Sequence, residues 1–306
     1  MPNTFPPVSV VIPIWNAESY LPTLLPMLFC QEGVDLQEVL LLDSMSTDRS
    51  VEIAEGFENV RILPISDFSH GGTRNRGIQE AKNEIVVLMT QDALPQGKEW
   101  MQHLIAPLSQ EKTAYTFSRQ IPYPGTNPLE AYYLEQKFSA QHSKIYQVEN
   151  KKIESLDQVF CSNVSSALKR SIAMEHPFEA SLIMGEDQQF SRDLQLAGYA
   201  VEYVHDSVVV HSHNYSLMKT FRRYFDSVVA ITQIFPSHPL NASASEGIDY
   251  MKHEFVFLLK NHPVYLPYYF FYLGVKTLAT LLAHFEKNLP KRVSRFCSMN
   301  RNYWNE

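Results

Sequence analysis

Residues 86–95 read VVLMTQDALP: four apolar residues run into Thr90, Gln91 and a single carboxylate, Asp92, with Pro95 three residues further on. A short apolar run bounded by turn-forming residues reads as a strand buried on both faces. Asp and Pro also favour plain turns, so the meaning of Asp92 depends on its company. Three more runs of the same kind occur: VSVVIPIW (8–15), EVLLLDS (38–44) and the weaker VRILPIS (60–66), while the opening run itself extends to EIVVLMTQD (84–92). Helical patterns lie between them at about 17–30, 47–57 and 73–82. Strands alternating with helices give an α/β unit with right-handed crossovers and a mostly parallel, Rossmann-like sheet flanked by helices.

In such sheets ligands bind beyond the carboxyl ends of the strands. The polar residues there are Asn16, Asp43 and Asp92. Any one could serve a turn or cap; three at three strand ends form a constellation. Asp43 precedes the helix-capping segment Ser46-Thr47-Asp48, in which Ser46 and Asp48 read as cap and dipole partner. Asp43 itself can accept a hydrogen bond from the imide N–H of uracil or thymine. FSHGGTRNRGI (68–78) sets Gly71 and Gly72 just before a helix start, where φ > 0 and close backbone approach are available. With His70, Arg74 and Asn75 beside it, that helix start suits a phosphate. Mg²⁺ and Mn²⁺ take few protein oxygens and fill the remaining positions from phosphate and water, so one Asp92 beside a diphosphate is a workable shell.

Further along, GEDQQFSRDLQLAGY (185–199) reads as a helix with acids at its start and Gly198 past its end. Glu186 and Asp187 point about 100° apart, so at most one faces a site, as a helix-stabilising acid or as a general base. TAYTFSRQ and DQVFCSNVSSALKR read as strands or strand-to-helix entries, and AVEYVHDSVVVHSHNY (200–215) as strand-like runs leading to His211 and His213. One of those two histidines could complete a metal shell.

The 306 residues, 45% hydrophobic and 19% charged, describe a folded chain with a sizeable core. A net charge of -7 opposes a nucleic-acid-binding role. Cys30, Cys161 and Cys297 lie far apart and read as three reduced core thiols. The N-terminus, MPNTFPPVSVVIPIWN, lacks a basic region and cleavage site, so it reads as leading into a strand, and a cytoplasmic location is expected. Beyond 216 the chain turns helical, aromatic and basic. VYLPYYFFYLGVKTLATLLAHF (264–285) approaches bilayer-spanning length but is interrupted by Pro267 and Lys276, so a buried helix pair or an interfacial helix is expected ahead of a span. Lys287, Lys291, Arg292, Arg295 and Arg301 would suit an anionic leaflet or a solvated face. Residues 1–215 are expected to form the α/β domain and 216–306 a helical extension that could associate with a membrane.

Together VSVVIPIWNAESYL, DSMSTD, FSHGGTRNRG, TQDALP, GED and HSHNY resemble glycosyltransferase family 2 over about residues 8–215, and look most like its rhamnosyltransferase branch. The resemblance implies a GT-A fold and an inverting transfer, with dTDP-L-rhamnose as donor and a saccharide acceptor of surface polysaccharide, lipid-linked at the inner face of the plasma membrane. It implies that Asp43 contacts the base, Arg74 lies near the donor phosphates, and Pro13, Asn16, His70, Thr90 and Gln91 line the donor site. Asp92 would bind a divalent cation, Mg²⁺ or Mn²⁺, with His211 or His213 as a further ligand. Asp187 would be the base, with Glu186 beside it. Thr90 stands where the first Asp of the family's DxD motif usually lies, which leaves metal dependence open. Rivals are the same fold with a UDP-sugar, a silent binding module, and a nucleotidyltransferase, which would ordinarily show a Gly-rich basic loop soon after the first strand, where this chain has PIWNAESY.

Overall fold

The computed structural model describes residues 6–148, 152, 153, 155–235 and 240–305; Met1–Phe5 of the N-terminal stretch lie outside them. In chain order the elements are β1 (Pro7–Ile14), α1 (Leu21–Phe29), β2 (Asp35–Asp43), α2 (Ser50–Glu55), β3 (Val60–Pro64), α3 (His70–Glu80), β4 (Ile85–Met89), β5 (Leu94–Pro95), α4 (Trp100–Ile105), β6 (Thr113–Ile121) and α5 (Pro128–Lys137). They continue with β7 (Lys144–Tyr146), β8 (Ser165–Lys169), α6 (Arg170–Glu175), α7 (Glu186–Leu196), β9 (Ala200–Val210), α8 (Leu217–Ile234), α9 (Leu240–Asn261), α10 (Leu266–His284) and α11 (Lys291–Cys297).

The sheet runs β3-β2-β1-β4-β8-β6-β9-β5, with β7 on β9. β1, β2, β3 and β4 are mutually parallel, as the apolar runs require. Here the side-chain period of two sorts each strand between two cores. Val10 and Ile12, Val39 and Leu41, Val87 and Met89 face one cluster with α1 and α4; Val11, Leu40 and Leu42, Val86 and Leu88 face another with α3 and α7. Nearly all are fully buried, and each such side chain contributes about 1.5–3 kcal/mol relative to exposure. Beyond β4 the sheet becomes mixed: β8 inserts antiparallel to both β4 and β6. Its sequence SSALK shows no apolar run, because Ser165 and Ser166 are buried through hydrogen bonds rather than apolar contact.

Several expectations change. Gly71 and Gly72 lie inside the first turn of α3, neither at positive φ. Gly71 is required for closeness instead: a Cβ there would stand 2.5 Å from the Glu179 carbonyl oxygen. Ser46 does not cap α2, whose N-cap residue Arg49 makes no side-chain cap bond, whereas Asp48 does meet the helix start, accepting from Ser50 N at 3.0 Å. Cys30 is exposed at the end of α1; Cys161 and Cys297 are buried. Gly198, by contrast, sits past α7 with φ 98, as the glycine rule anticipates.

The chain divides into two compact units, one of residues 1–124, 134–181 and 186–212, the other of 125–133, 182–185 and 213–306. The second unit has its own core, in which Phe221, Phe225 and Val229 of α8 meet Ala279 and Ala283 of α10. Tyr132 stacks on Phe257 at 4.6 Å, and the Lys276 ammonium lies 4.5 Å over the Tyr224 ring. Among the described residues no helix is long and apolar enough to cross a membrane.

Candidate active site

β2, β1 and β4 are adjacent and parallel, so their carboxyl ends deliver Asp43, Asn16 and Asp92 to one edge of the sheet. The loops there are interlocked. Asn16 sits in the left-handed region at φ 48, which Asn tolerates. Its backbone N–H donates to Ser46 Oγ at 2.9 Å, and its side-chain oxygen accepts from Thr47 N at 2.9 Å. Asp48 accepts from the Glu18 N–H at 3.0 Å and from Ser50 N at 3.0 Å. The segment that reads as a helix cap is thus a clasp between the β1 and β2 loops. Asp43 is buried and accepts from Ser46 N at 3.1 Å. Gln91 holds the other side: its amide accepts from Trp15 N at 2.8 Å and donates to Trp15 O at 3.1 Å. Pro13 is in β1 opposite Leu42, half-buried, and the buried Thr90 hydroxyl has no hydrogen-bond partner among the described residues. His70 opens α3 and packs edge-on against Phe68 at 5.2 Å.

The acids of α7 follow Gly185, whose φ of 77 only glycine adopts readily. Glu186 is buried, with the Arg74 guanidinium 2.9 Å from its Oε1 and Asn163 Nδ2 donating to the same oxygen at 3.1 Å. Burial opposes the Glu186 charge, but Arg74, His70 and Asn163 outweigh it and hold the carboxyl below its ordinary value. Asp187 goes the other way. Burial, reinforced by the Glu186 charge, pushes it up to about 7. Its Oδ1 accepts from Gln188 N at 2.8 Å and its Oδ2 from Asn163 N at 3.3 Å. Two neighbouring carboxyls therefore divide the labour, one locked ionised in an ion pair and one poised to exchange a proton near neutrality.

Asp92, His211 and His213 each offer one ligand atom, and these atoms lie within 4.8 Å of one another. His211 Nε2 is 3.6 Å from Asp92 Oδ1. The other His211 nitrogen, Nδ1, is 2.9 Å from Gln120 Oε1, and Gln120 Nε2 donates to Ser162 Oγ at 2.9 Å. With the Gln120 oxygen toward the ring, the bond is one that an Nδ1–H would donate, and the ring is held with Nε2 toward Asp92. One carboxylate and two imidazoles, with an unpartnered Thr90 hydroxyl close by in sequence, fit a small divalent cation that draws its remaining ligands from phosphate and water.

Asn163, Gln120 and Tyr123 escape a reading of the sequence. Asn163 touches both acids and accepts from Tyr115 OH at 2.7 Å; Tyr123 OH donates to the Asp92 carbonyl at 2.9 Å. The signal available for Asn163 was the cluster of small polar residues in CSNVSS, which by itself reads as an ordinary loop. Arg74, expected near donor phosphates, is buried with its guanidinium on Glu186.

The chain is similar to known proteins over nearly its whole length. Over 303 residues the chain is 30% identical to the O-antigen chain rhamnosyltransferase RfbN of Salmonella typhimurium, covering 97% of this chain and 96% of that protein. It is 29% identical to the O-antigen chain rhamnosyltransferase WbaN of Salmonella anatum, covering 98% and 96%. Among solved structures, the mannosyltransferase PcManGT of Pyrobaculum calidifontis with GDP-Man and Mn²⁺ superposes with TM-score 0.57 at 16% identity, covering 99% of this chain and 86% of that one. TarS 1–349 of S. aureus with UDP-GlcNAc gives 0.56 at 18%, covering 95% and 84%. These likenesses establish the GT-A fold. Residues 9–176, which carry β1 to β4 and the strand-end residues Pro13, Asn16, Asp43 and Asp92, match the model of Glycosyl transferase family 2, and the chain belongs to that family as a glycosyltransferase.

Proposed function

We propose that this glycosyltransferase moves L-rhamnose from dTDP-L-rhamnose to a saccharide, with inversion, in the cytoplasmic assembly of an O-antigen-like surface polysaccharide whose acceptor is lipid-linked. The observation that carries the reading is the near full-length similarity to two O-antigen chain rhamnosyltransferases, including the region beyond the family domain.

In this reading Asp43 accepts the imide N–H of thymine. Pro13, Asn16, His70, Thr90 and Gln91 shape the donor cleft, Gln91 by holding the loop that carries Asp92 against Trp15 at the end of β1. The acceptor hydroxyl attacks the anomeric carbon opposite the diphosphate. Asp187 takes the hydroxyl proton as the new C–O bond forms, and the bond to the diphosphate oxygen breaks with its electron pair. Glu186 stays ionised on Arg74 and raises the basicity of Asp187. Asp92, His211 and His213 would hold a divalent cation, Mg²⁺ or Mn²⁺, which when bound neutralises charge on the leaving diphosphate.

The test is thermal stabilisation of the full chain by dTDP, UDP, GDP and CMP, each with Mn²⁺, Mg²⁺ or EDTA. A nucleotide at a hundred times its dissociation constant adds about 2.7 kcal/mol. Selective stabilisation by dTDP, followed by turnover of dTDP-L-rhamnose, is the expected result. Preference for UDP would retain the mechanism and change the donor; no response to any nucleotide would sink the reading in favour of a silent binding module.

A further inference from the structure

In the second unit, α10 buries one face and leaves the other open. Tyr269, Ala279 and Ala283 are buried, whereas Phe270 is 61% exposed, Phe271 69%, Leu278 53% and Leu281 54%. At 100° per residue these four fall within an arc of about 100°. Gly274 falls within the arc and Thr277 about 20° outside it, and none of these residues carries a charge. The charged residue of α10, Lys276, lies on the other side over the Tyr224 and Tyr272 rings. The apolar surface continues at both ends, with Val264 88% and Phe285 58% exposed.

A basic run follows immediately. Between Lys287 and Arg301 there are five basic residues and no acidic one, in a chain whose net charge is -7. Lys287, Lys291, Arg292 and Arg295 are all exposed, and Phe296 in their midst is 58% exposed. A solvated face would carry charges among its exposed positions; this one segregates them, aromatic residues first and cations beside them.

We propose that the exposed face of α10, with the basic segment 287–295, docks in the plane of an anionic lipid bilayer, Phe270, Phe271, Leu278 and Leu281 entering the headgroup boundary and the cations meeting anionic phosphates. The cations select this occupant: an acidic protein approaches an anionic surface only through a local positive patch, and exposed aromatic and aliphatic side chains then supply apolar burial. α10 lies on the surface, since its opposite face is filled by α8 side chains and no described helix can span. The inference deepens the reading of a lipid-linked acceptor, and its test needs no transfer activity.

The full chain is sedimented with vesicles of equimolar phosphatidylglycerol and phosphatidylethanolamine, and with phosphatidylcholine alone, at low and high salt. Selective, salt-weakened binding to the anionic vesicles is expected. The double substitution Phe270→Ser/Phe271→Ser should abolish it. Lys291→Glu/Arg292→Glu should weaken it at least about tenfold, each charge near the surface being worth about a factor of five. All these side chains are exposed, so urea midpoints and the nucleotide-induced thermal shift stay at the parent values. Binding that ignores lipid charge, or survives both double substitutions, overturns the proposal. So does a dimer in vesicle-free solution that the phenylalanine substitutions dissociate, which would assign the face to a second copy of the chain. Loss of vesicle binding with intact nucleotide binding fails the surface alone; the converse fails the donor reading alone.

Discussion

The Arg74 guanidinium lies 2.9 Å from Glu186 Oε1, with both side chains less than a tenth exposed. The pair joins the first turn of α7 to α3, and the next residue along α7 is Asp187, the base of the proposed transfer. Arg74 also donates to the His70 carbonyl at 3.0 Å, so it closes the first turn of α3 as well. An ion pair this buried adds little net stability over a well-packed apolar pair, but breaking it leaves a bare charge inside the protein.

Arg74→Met should therefore cost about 3–5 kcal/mol in urea unfolding, while Arg74→Met/Glu186→Leu should recover most of the loss. A loss below about 1 kcal/mol for the single substitution would mean that Glu186 finds other solvation. Arg74→Lys separates the two roles considered for this residue. If Arg74 serves Glu186 alone, a folded Arg74→Lys protein keeps its dTDP-induced thermal shift; if it binds donor phosphate, the shift falls.

Gln120→Leu tests the histidine orientation. Without the acceptor for an Nδ1–H, His211 loses the bond that holds its ring angle. Loss of such a supporting hydrogen bond typically weakens metal binding about 10–100-fold. Mn²⁺ titration followed by electron paramagnetic resonance, in the presence of dTDP, should show that weakening, with the metal-free melting temperature lowered much less. Unchanged Mn²⁺ affinity would remove Gln120 from the site.

Gly77→Ala probes how α3 sits on the sheet. Alanine is the better helix former by about 1 kcal/mol, yet its Cβ would stand 2.3 Å from Val11 Cγ1 and 2.9 Å from Leu42 Cδ1. Packing should win, with a net loss of about 1–3 kcal/mol. A more stable variant would show that α3 can move away from β1 at little cost.

The parallel half of the sheet was legible because its strands are buried on both faces and advertise this as unbroken apolar runs. Asp43, Asn16 and Asp92 were findable for the same reason: each closes such a run. β8 was legible only as part of DQVFCSNVSSALKR, which reads as a strand or strand-to-helix entry; its bounds and its antiparallel place were not, since Ser165 and Ser166 are buried through hydrogen bonds, which leave no hydropathy signal. The clasp of Asn16, Ser46 and Asp48 resembled a helix cap because a capping residue and a loop-bridging residue are the same short polar types. Asn163 and Gln120 were hidden because their partners lie 23 or more positions away along the chain, a separation that no local pattern records.

Asp187 gives the pH dependence. Its carboxyl stands at about 7 in the folded chain against an ordinary 3.8. A general base must be ionised, so transfer should fall about tenfold per pH unit below about 7. Stability follows with its own sign. Between 3.8 and about 7 the folded state holds a proton that the unfolded state has released, so this group's contribution to stability declines as pH rises through the window and is fully lost above it. Asp187→Asn removes the titration. It should match the parent near pH 4, exceed it in urea midpoint at pH 8, and abolish transfer while retaining the dTDP thermal shift. Glu186→Gln removes the neighbouring charge and frees Arg74 to act on Asp187, and both changes lower the Asp187 pKa. The acidic limb of the transfer profile should then move below 7. A limb that stays in place in Glu186→Gln, or transfer that survives in Asp187→Asn, would place the base elsewhere.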